Sequence, residues 1–138
     1  MLAVHPGSGS AGKNWPEKNW AKFLSDWLEQ TDTELLIIGG EAEAERVTRL
    51  SARLPRARHR VLLRASLVDV AHSMSGCRAF VGHDSGITHL AAAVGLPGVV
   101  LWAATDAVVW RPPSEAMELL QQPIEPCVVL EAVTTLFK

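Results

Sequence analysis

The 138-residue chain carries 48 % hydrophobic and 20 % charged residues and a formal net charge of −2. That balance fits one folded domain with a real core, and excludes a disordered chain or a broadly basic, nucleic-acid-coating one. No apolar run approaches the roughly 18 residues that span a bilayer, and the opening MLAVHPGSGS lacks the n-region and long apolar stretch of a signal peptide. Cys77 and Cys127 have no metal or redox spacing, which suits a reducing compartment, so the cytoplasm is the expected location.

Apolar periodicity predicts alternating strands and helices. The strand LAVHP leads into a glycine-serine loop at 7–12, and a helix begins at Pro16, a residue suited to a first helical turn. Trp20, Phe23, Leu24, Trp27 and Leu28 form its buried stripe. ELLIIGG is a continuous apolar run, as expected of a strand covered on both faces. A helix over 42–54 buries Val47, Leu50 and Leu54, with Arg46, Arg49 and Arg53 on a face read as solvated. HRVLLRA is strand three. Ser66 and Asp69 form a capping box for a third helix with the stripe Leu67, Val70, Ala71 and Met74. RAFVGHD is strand four, 86–94 a helix closed by Gly95 and Pro97, and GVVLWAAT strand five. DAVVWRPPSE reads as a loop, AMELLQQP as a last strand, and 128–137 as a closing helix. The fold class is α/β: a Rossmann-like three-layer α/β/α domain with a parallel sheet of about six strands, whose ligands sit beyond the carboxyl ends of the strands.

Three polar clusters fall at those ends. GSGSAGKN satisfies both G-x-G-x-x-G and G-x-x-x-x-G-K, yet Asn14 stands where a P-loop needs Ser or Thr, and Pro16 delays the helix. The acid that follows strand two, Glu41, is about 30 positions past Gly12, where the dinucleotide fingerprint wants about 20. What remains is a backbone-rich loop offering Ser8, Ser10 and Lys13 to an anion, or an ordinary strand-to-helix turn. Glu41 itself is a ribose acceptor or a first-turn helix acid.

The third cluster, GHDSGITHLAAAVGLP, opens a slim helix. Asp84 or Ser85 can cap it, Gly86 exposes N–H groups at its start, and Thr88 and His89 lie within reach of the same ligand. The alternative is a capped core helix with incidental polar residues. GHDSG is not G-x-S-x-G, which argues against a hydrolase nucleophile. A metal site of His83, Asp84 and His89 has no supporting spacing. His5, His59 and His72 read as structural.

HPGSGSAGKNWPEKNWAKFL, LLIIGGEAEAE and FVGHDSGITHLAAAVGLPGVVLW, followed by TDAVVWRP, strongly resemble the C-terminal half of glycosyltransferase family 9, the ADP-heptose:lipopolysaccharide heptosyltransferases. The resemblance implies the donor-binding half of a GT-B fold and inverting, metal-independent transfer with no cofactor. It places Ser8, Ser10 and Lys13 at the donor phosphates, Glu41 at the ribose, and Arg64 and Ala65 near the adenine. Asp84, Ser85, Gly86 and Thr88 come to the diphosphate and sugar, and Lys13 and His89 to the leaving group. The partners it implies are a nucleotide-diphosphate sugar, with ADP-heptose foremost, and a lipopolysaccharide-type acceptor. The acceptor and the catalytic base belong to an N-terminal domain that residues 1–138 do not contain, and the whole enzyme is expected in the cytoplasm or at the inner face of its membrane. The other reading is a stand-alone nucleotide-sugar or partner-binding module without catalysis.

Overall fold

A computed structural model describes residues 1–103 and 106–138. The sheet is six-stranded and parallel throughout, in the order β3-β2-β1-β4-β5-β6. Its two central strands are β1 (Leu2–Val4) and β4 (Ala79–His83), with Leu2 opposite Ala79 and Val4 opposite Val81. From β1 the chain winds outward through β2 (Leu35–Gly39) to β3 (His59–Leu63). It then returns to β4 and winds the other way through β5 (Gly98–Trp102) to β6 (Met117–Gln121). The order reverses between β1 and β4, which opens a crevice at their carboxyl ends.

Alternation along the strands divides the core into two layers. Leu2, Val4, Ile37, Val81 and Leu101 face α1 (Glu17–Gln30), α2 (Ala44–Ser51) and α6 (Pro126–Thr135). The α1 stripe delivers Trp20, Phe23, Leu24 and Trp27 to that layer, and the indoles of Trp15 and Trp20 meet edge to face at 5.2 Å. Ala3, Leu36, Ile38, Phe80 and Val100 face α3 (Leu67–Ser75) and α4 (Gly86–Ala93). Gly95, at φ +81°, ends α4 in the left-handed conformation that glycine adopts without steric cost, while the Leu96 N–H returns to the Ala91 carbonyl.

Several expectations shift. The helix expected over 42–54 is the shorter α2, because turns occupy both flanks, although Leu54 still packs on the core. HRVLLRA forms β3, an edge strand with exposed residues at its centre. Ser66 caps α3 through the Asp69 N–H at 3.1 Å, but Leu67, 66 % exposed, leaves the stripe. DAVVWRPPSE contains a single helical turn, α5 (Ala107–Trp110), capped where Asp106 accepts the Val108 N–H at 2.9 Å. The closing helix starts earlier than expected, with Pro126 in its first turn. Strand five ends at Trp102, and the Ala104 and Thr105 of GVVLWAAT lie outside the described residues.

Candidate functional site

The loop from β1 to α1 is tied down from three sides. The Trp15 N–H donates to His83 Nε2 at 2.8 Å, which puts the ring's proton on Nδ1, and that atom donates to the Gly7 carbonyl at 3.1 Å. Burial pushes the His83 imidazole down to about 4, so it serves as a neutral strut. Arg46 reaches from α2 to the Pro6 and Trp15 carbonyls, each at 3.3 Å, and Gln122 donates to the Lys13 carbonyl at 3.0 Å. The arginine face of α2 is thus partly structural: Arg46 braces the loop, and Arg49 pairs with Glu17 at 2.8 Å. Both ring nitrogens of His83 are spent on backbone, which removes it from any metal set. Among the described residues no group of three His, Cys, Asp or Glu stands together as a metal site.

This bracing shapes a cavity of about 610 Å³ at the switch point, within the size range of small-molecule sites. Ile38, Val70, Ile87 and Leu90 give it an apolar wall between α3 and α4, and Ala65 lies on its lining as expected. His5, Glu43 and Ser85 supply its polar side. A second hollow of about 440 Å³ adjoins it, sharing Ser85, Gly86 and His89, and is completed by Lys13, Asp84 and Trp110.

The expected site residues divide by orientation. Lys13 Nζ stands 3.2 Å from Asp84 Oδ2, so the cation and the acid at the two loop tips form one pair. Ser85 occupies the N-cap of α4 but its hydroxyl makes no capping bond, leaving the first turn beside Gly86 without a side-chain cap. His89 is exposed and its Nε2 donates to the Trp110 carbonyl at 3.0 Å, strapping α5 to α4. Ser10 is exposed on the loop. Ser8 instead is buried, with its Oγ 2.8 Å from the Ser10 carbonyl and 2.9 Å from Asn14 Oδ1, so it folds the loop and does not face the cavity. Thr88 is fully buried and donates to the His83 carbonyl, so its hydroxyl is directed away from any ligand in the hollow. Glu41 lies outside both linings, largely exposed, with its carboxylate on the Arg64 guanidinium.

The acid that enters the cavity is Glu43, two positions on. It is buried, accepts the Gly40 N–H at 2.9 Å, and lies 3.9 Å from His5 Nε2. The His5 imidazole first, and the Gly40 N–H, hold its carboxyl below the usual carboxylate range against the opposing effect of burial. A Cβ on Gly7 would stand 2.4 Å from Glu43 Cγ, so glycine there makes room for the acid. His5, read as structural from sequence, shares this cavity. The signal for both was the set of glycines 7, 39 and 40 at two neighbouring strand ends, which leave space for one side chain.

The family model described as glycosyltransferase family 9 (heptosyltransferase) matches residues 1–135. Lipopolysaccharide heptosyltransferase 1 of Pseudomonas aeruginosa is 39 % identical over 94 residues, which are 68 % of this chain and 26 % of that protein. The Escherichia coli K12 protein of the same name is 32 % identical over 94 residues, again 68 % of this chain and 29 % of the relative. In structure, E. coli ADP-heptose lipopolysaccharide heptosyltransferase II superposes with a TM-score of 0.90 at 24 % identity, over 99 % of this chain and 46 % of its own. An E. coli heptosyltransferase solved with ADP-2-deoxy-2-fluoro heptose gives 0.78 at 25 %, over 99 % and 42 %. The chain therefore spans less than half the length of these relatives.

Proposed function

The chain belongs to glycosyltransferase family 9, and from that premise we propose that residues 1–138 form the nucleotide-sugar-binding half of a two-domain, GT-B heptosyltransferase-like enzyme. The donor is ADP-heptose or a closely related nucleotide-diphosphate sugar. Its base fills the apolar part of the larger cavity, near Ala65, and its ribose hydroxyls meet the Glu43 carboxylate. That assignment moves the ribose from Glu41, whose carboxylate is spent on Arg64 at the rim. The diphosphate crosses the shared edge, against the first turn of α4 at Gly86 and the Lys13 ammonium, with Ser10 on the facing loop. The sugar occupies the second hollow, beside Asp84 and Trp110.

Inverting transfer builds negative charge on the departing nucleoside diphosphate. Lys13, the helix start at Gly86 and the His89 side chain surround the place where that charge develops, and preorganised donors of this kind stabilise it without a metal ion. Asp84 holds the Lys13 ammonium in place and can accept a sugar hydroxyl. The catalytic base and the lipopolysaccharide-type acceptor are assigned to the partner domain of the complete enzyme. No helix among the described residues is long and apolar enough to cross a membrane. In this proposal the whole enzyme works in the cytoplasm on an acceptor at the inner membrane face.

One observation carries this reading: a lysine, an uncapped helix start and a buried carboxylate converge on two adjoining hollows at the β1–β4 switch point. Calorimetric titration with ADP, ADP-heptose and ATP, with magnesium and with EDTA, tests it. Weak binding of both ADP ligands, unchanged by EDTA and without sugar transfer by this chain alone, is the expected result. Magnesium-dependent binding of ATP alone would indicate a P-loop-type site. Turnover by residues 1–138 alone would contradict the division of labour between two domains.

A further inference from the structure

His5 is 3 % exposed and links two ligand-facing groups of the larger cavity. Its Nε2 stands 3.9 Å from Glu43 Oε2, on the turn after β2, and its Nδ1 stands 3.5 Å from Ser85 Oγ, at the start of α4. The polarity of this chain of contacts is constrained. At 3.9 Å the Glu43 carboxylate is not hydrogen-bonded to the ring, but its negative charge favours hydrogen on the nitrogen that faces it. In a neutral ring Nδ1 is then an acceptor, the Ser85 hydroxyl donates to it, and the serine turns lone pairs toward the hollow. That orientation repels a phosphate oxygen. With a proton on both ring nitrogens, Ser85 accepts from Nδ1 and its own O–H is released toward the hollow.

Resting on the nucleotide-sugar reading above, we propose that His5 is a positioning residue that sets the direction of the Ser85 hydroxyl, and that binding of the donor diphosphate is coupled to uptake of a proton by its ring. The incoming negative charge favours the doubly protonated ring over the neutral one. The other charged or titratable groups around it are accounted for. Arg46 is engaged by the Pro6 and Trp15 carbonyls, His83 is the neutral strut, Lys13 and Asp84 pair with each other, and His89 is tied to Trp110.

The test is calorimetric titration with ADP-heptose between pH 8 and pH 6, in buffers of different ionisation enthalpy. A sugar-linked diphosphate lacks the terminal phosphate proton that titrates near pH 6 and would confuse the same experiment with ADP. Wild type is expected to bind several-fold more tightly at pH 6 than at pH 8, with a heat that depends on the buffer because a proton is taken up. His5→Gln should give an affinity flat with pH. Ser85→Ala, which keeps His5 and spares the core, should lose most of the pH dependence, whereas His89→Gln should keep it whatever its affinity. A pH-independent wild type overturns the proposal, as does a pH dependence that survives both His5→Gln and Ser85→Ala, or one abolished only by His89→Gln. No binding of ADP or ADP-heptose at any pH overturns the underlying nucleotide-sugar reading, and this coupling with it.

Discussion

The Trp15 backbone N–H donates to His83 Nε2 at 2.8 Å, joining the entry of α1 to the end of β4 across 68 positions of sequence. Through the same ring, Gly7 is held at 3.1 Å, so one neutral imidazole fixes both ends of the loop that carries Lys13.

Stability should therefore depend on His83 and on pH together. The folded ring titrates at about 4 and the unfolded one near 6.5, so the unfolded chain binds more protons between those values. The ring's full contribution is present above about pH 6.5 and is lost as pH falls through about 4, a difference of about 3 kcal/mol. His83→Ala should lower stability by about 2–4 kcal/mol at pH 7, from an emptied site and orphaned backbone groups. It should also flatten the fall toward pH 4. Urea unfolding of both proteins at pH 7 and pH 4.5 checks this, and an equally steep fall in the variant would exclude His83 as its source.

Glu43 and Gly7 should behave as one unit. Gly7→Ala drives a methyl into Glu43 Cγ and should cost about 1–3 kcal/mol of stability or displace the acid, lowering ADP affinity. Gly9→Ala meets open space and should leave stability unchanged. Glu43→Ala should relieve much of the Gly7→Ala penalty, a non-additivity expected of residues in contact. Glu43→Gln should weaken ADP binding by roughly tenfold, about 1.4 kcal/mol, while Glu41→Gln should leave it within about twofold. The reverse order would return the ribose to Glu41.

The pair at the second hollow predicts a separation of binding from stability. Lys13→Ala should cost about 1–3 kcal/mol of ADP binding, as for a charged hydrogen bond. Its effect on the melting temperature should be small, since a part-exposed ion pair contributes little to folding. Asp84→Asn should weaken binding less, by loosening the ammonium. Calorimetry and thermal melts on the same samples separate the two, and a large loss of stability with unchanged affinity would make the pair structural.

Much of the architecture was legible because long periodic segments carry their own signal. The α1 stripe and the apolar run of β2 announce a helix and a strand, and the regular alternation announces a parallel sheet. The apolar centre of β3 could not reveal an edge position, since edge status depends on which strand pairs next. A four-residue helix such as α5 is too short for any period to register. At the site, the loops lie at the strand ends as expected and Lys13, Ala65, Asp84, Ser85, Gly86 and His89 line the two hollows, whereas Ser8, Glu41 and Thr88 do not. Ser8 and Thr88 point inward because local backbone carbonyls and amides capture their hydroxyls, a preference set by loop geometry and not by spacing. The sequence points to Glu41 and not to Glu43 because proximity to Gly39 and Gly40 says nothing about which acid the glycines make room for.

The β1–β4 switch point is proposed to hold a nucleotide-diphosphate sugar without a metal ion. Amide chemical-shift mapping by NMR during titration with ADP-heptose in EDTA tests it most directly. Saturable shifts are predicted at Ser10, Lys13, Glu43, Ala65, Gly86 and Ile87, with the amides of Ser114 and Glu115 unmoved. No saturable shift, shifts that require magnesium, or a perturbed cluster away from the carboxyl ends of β1 and β4 would contradict it.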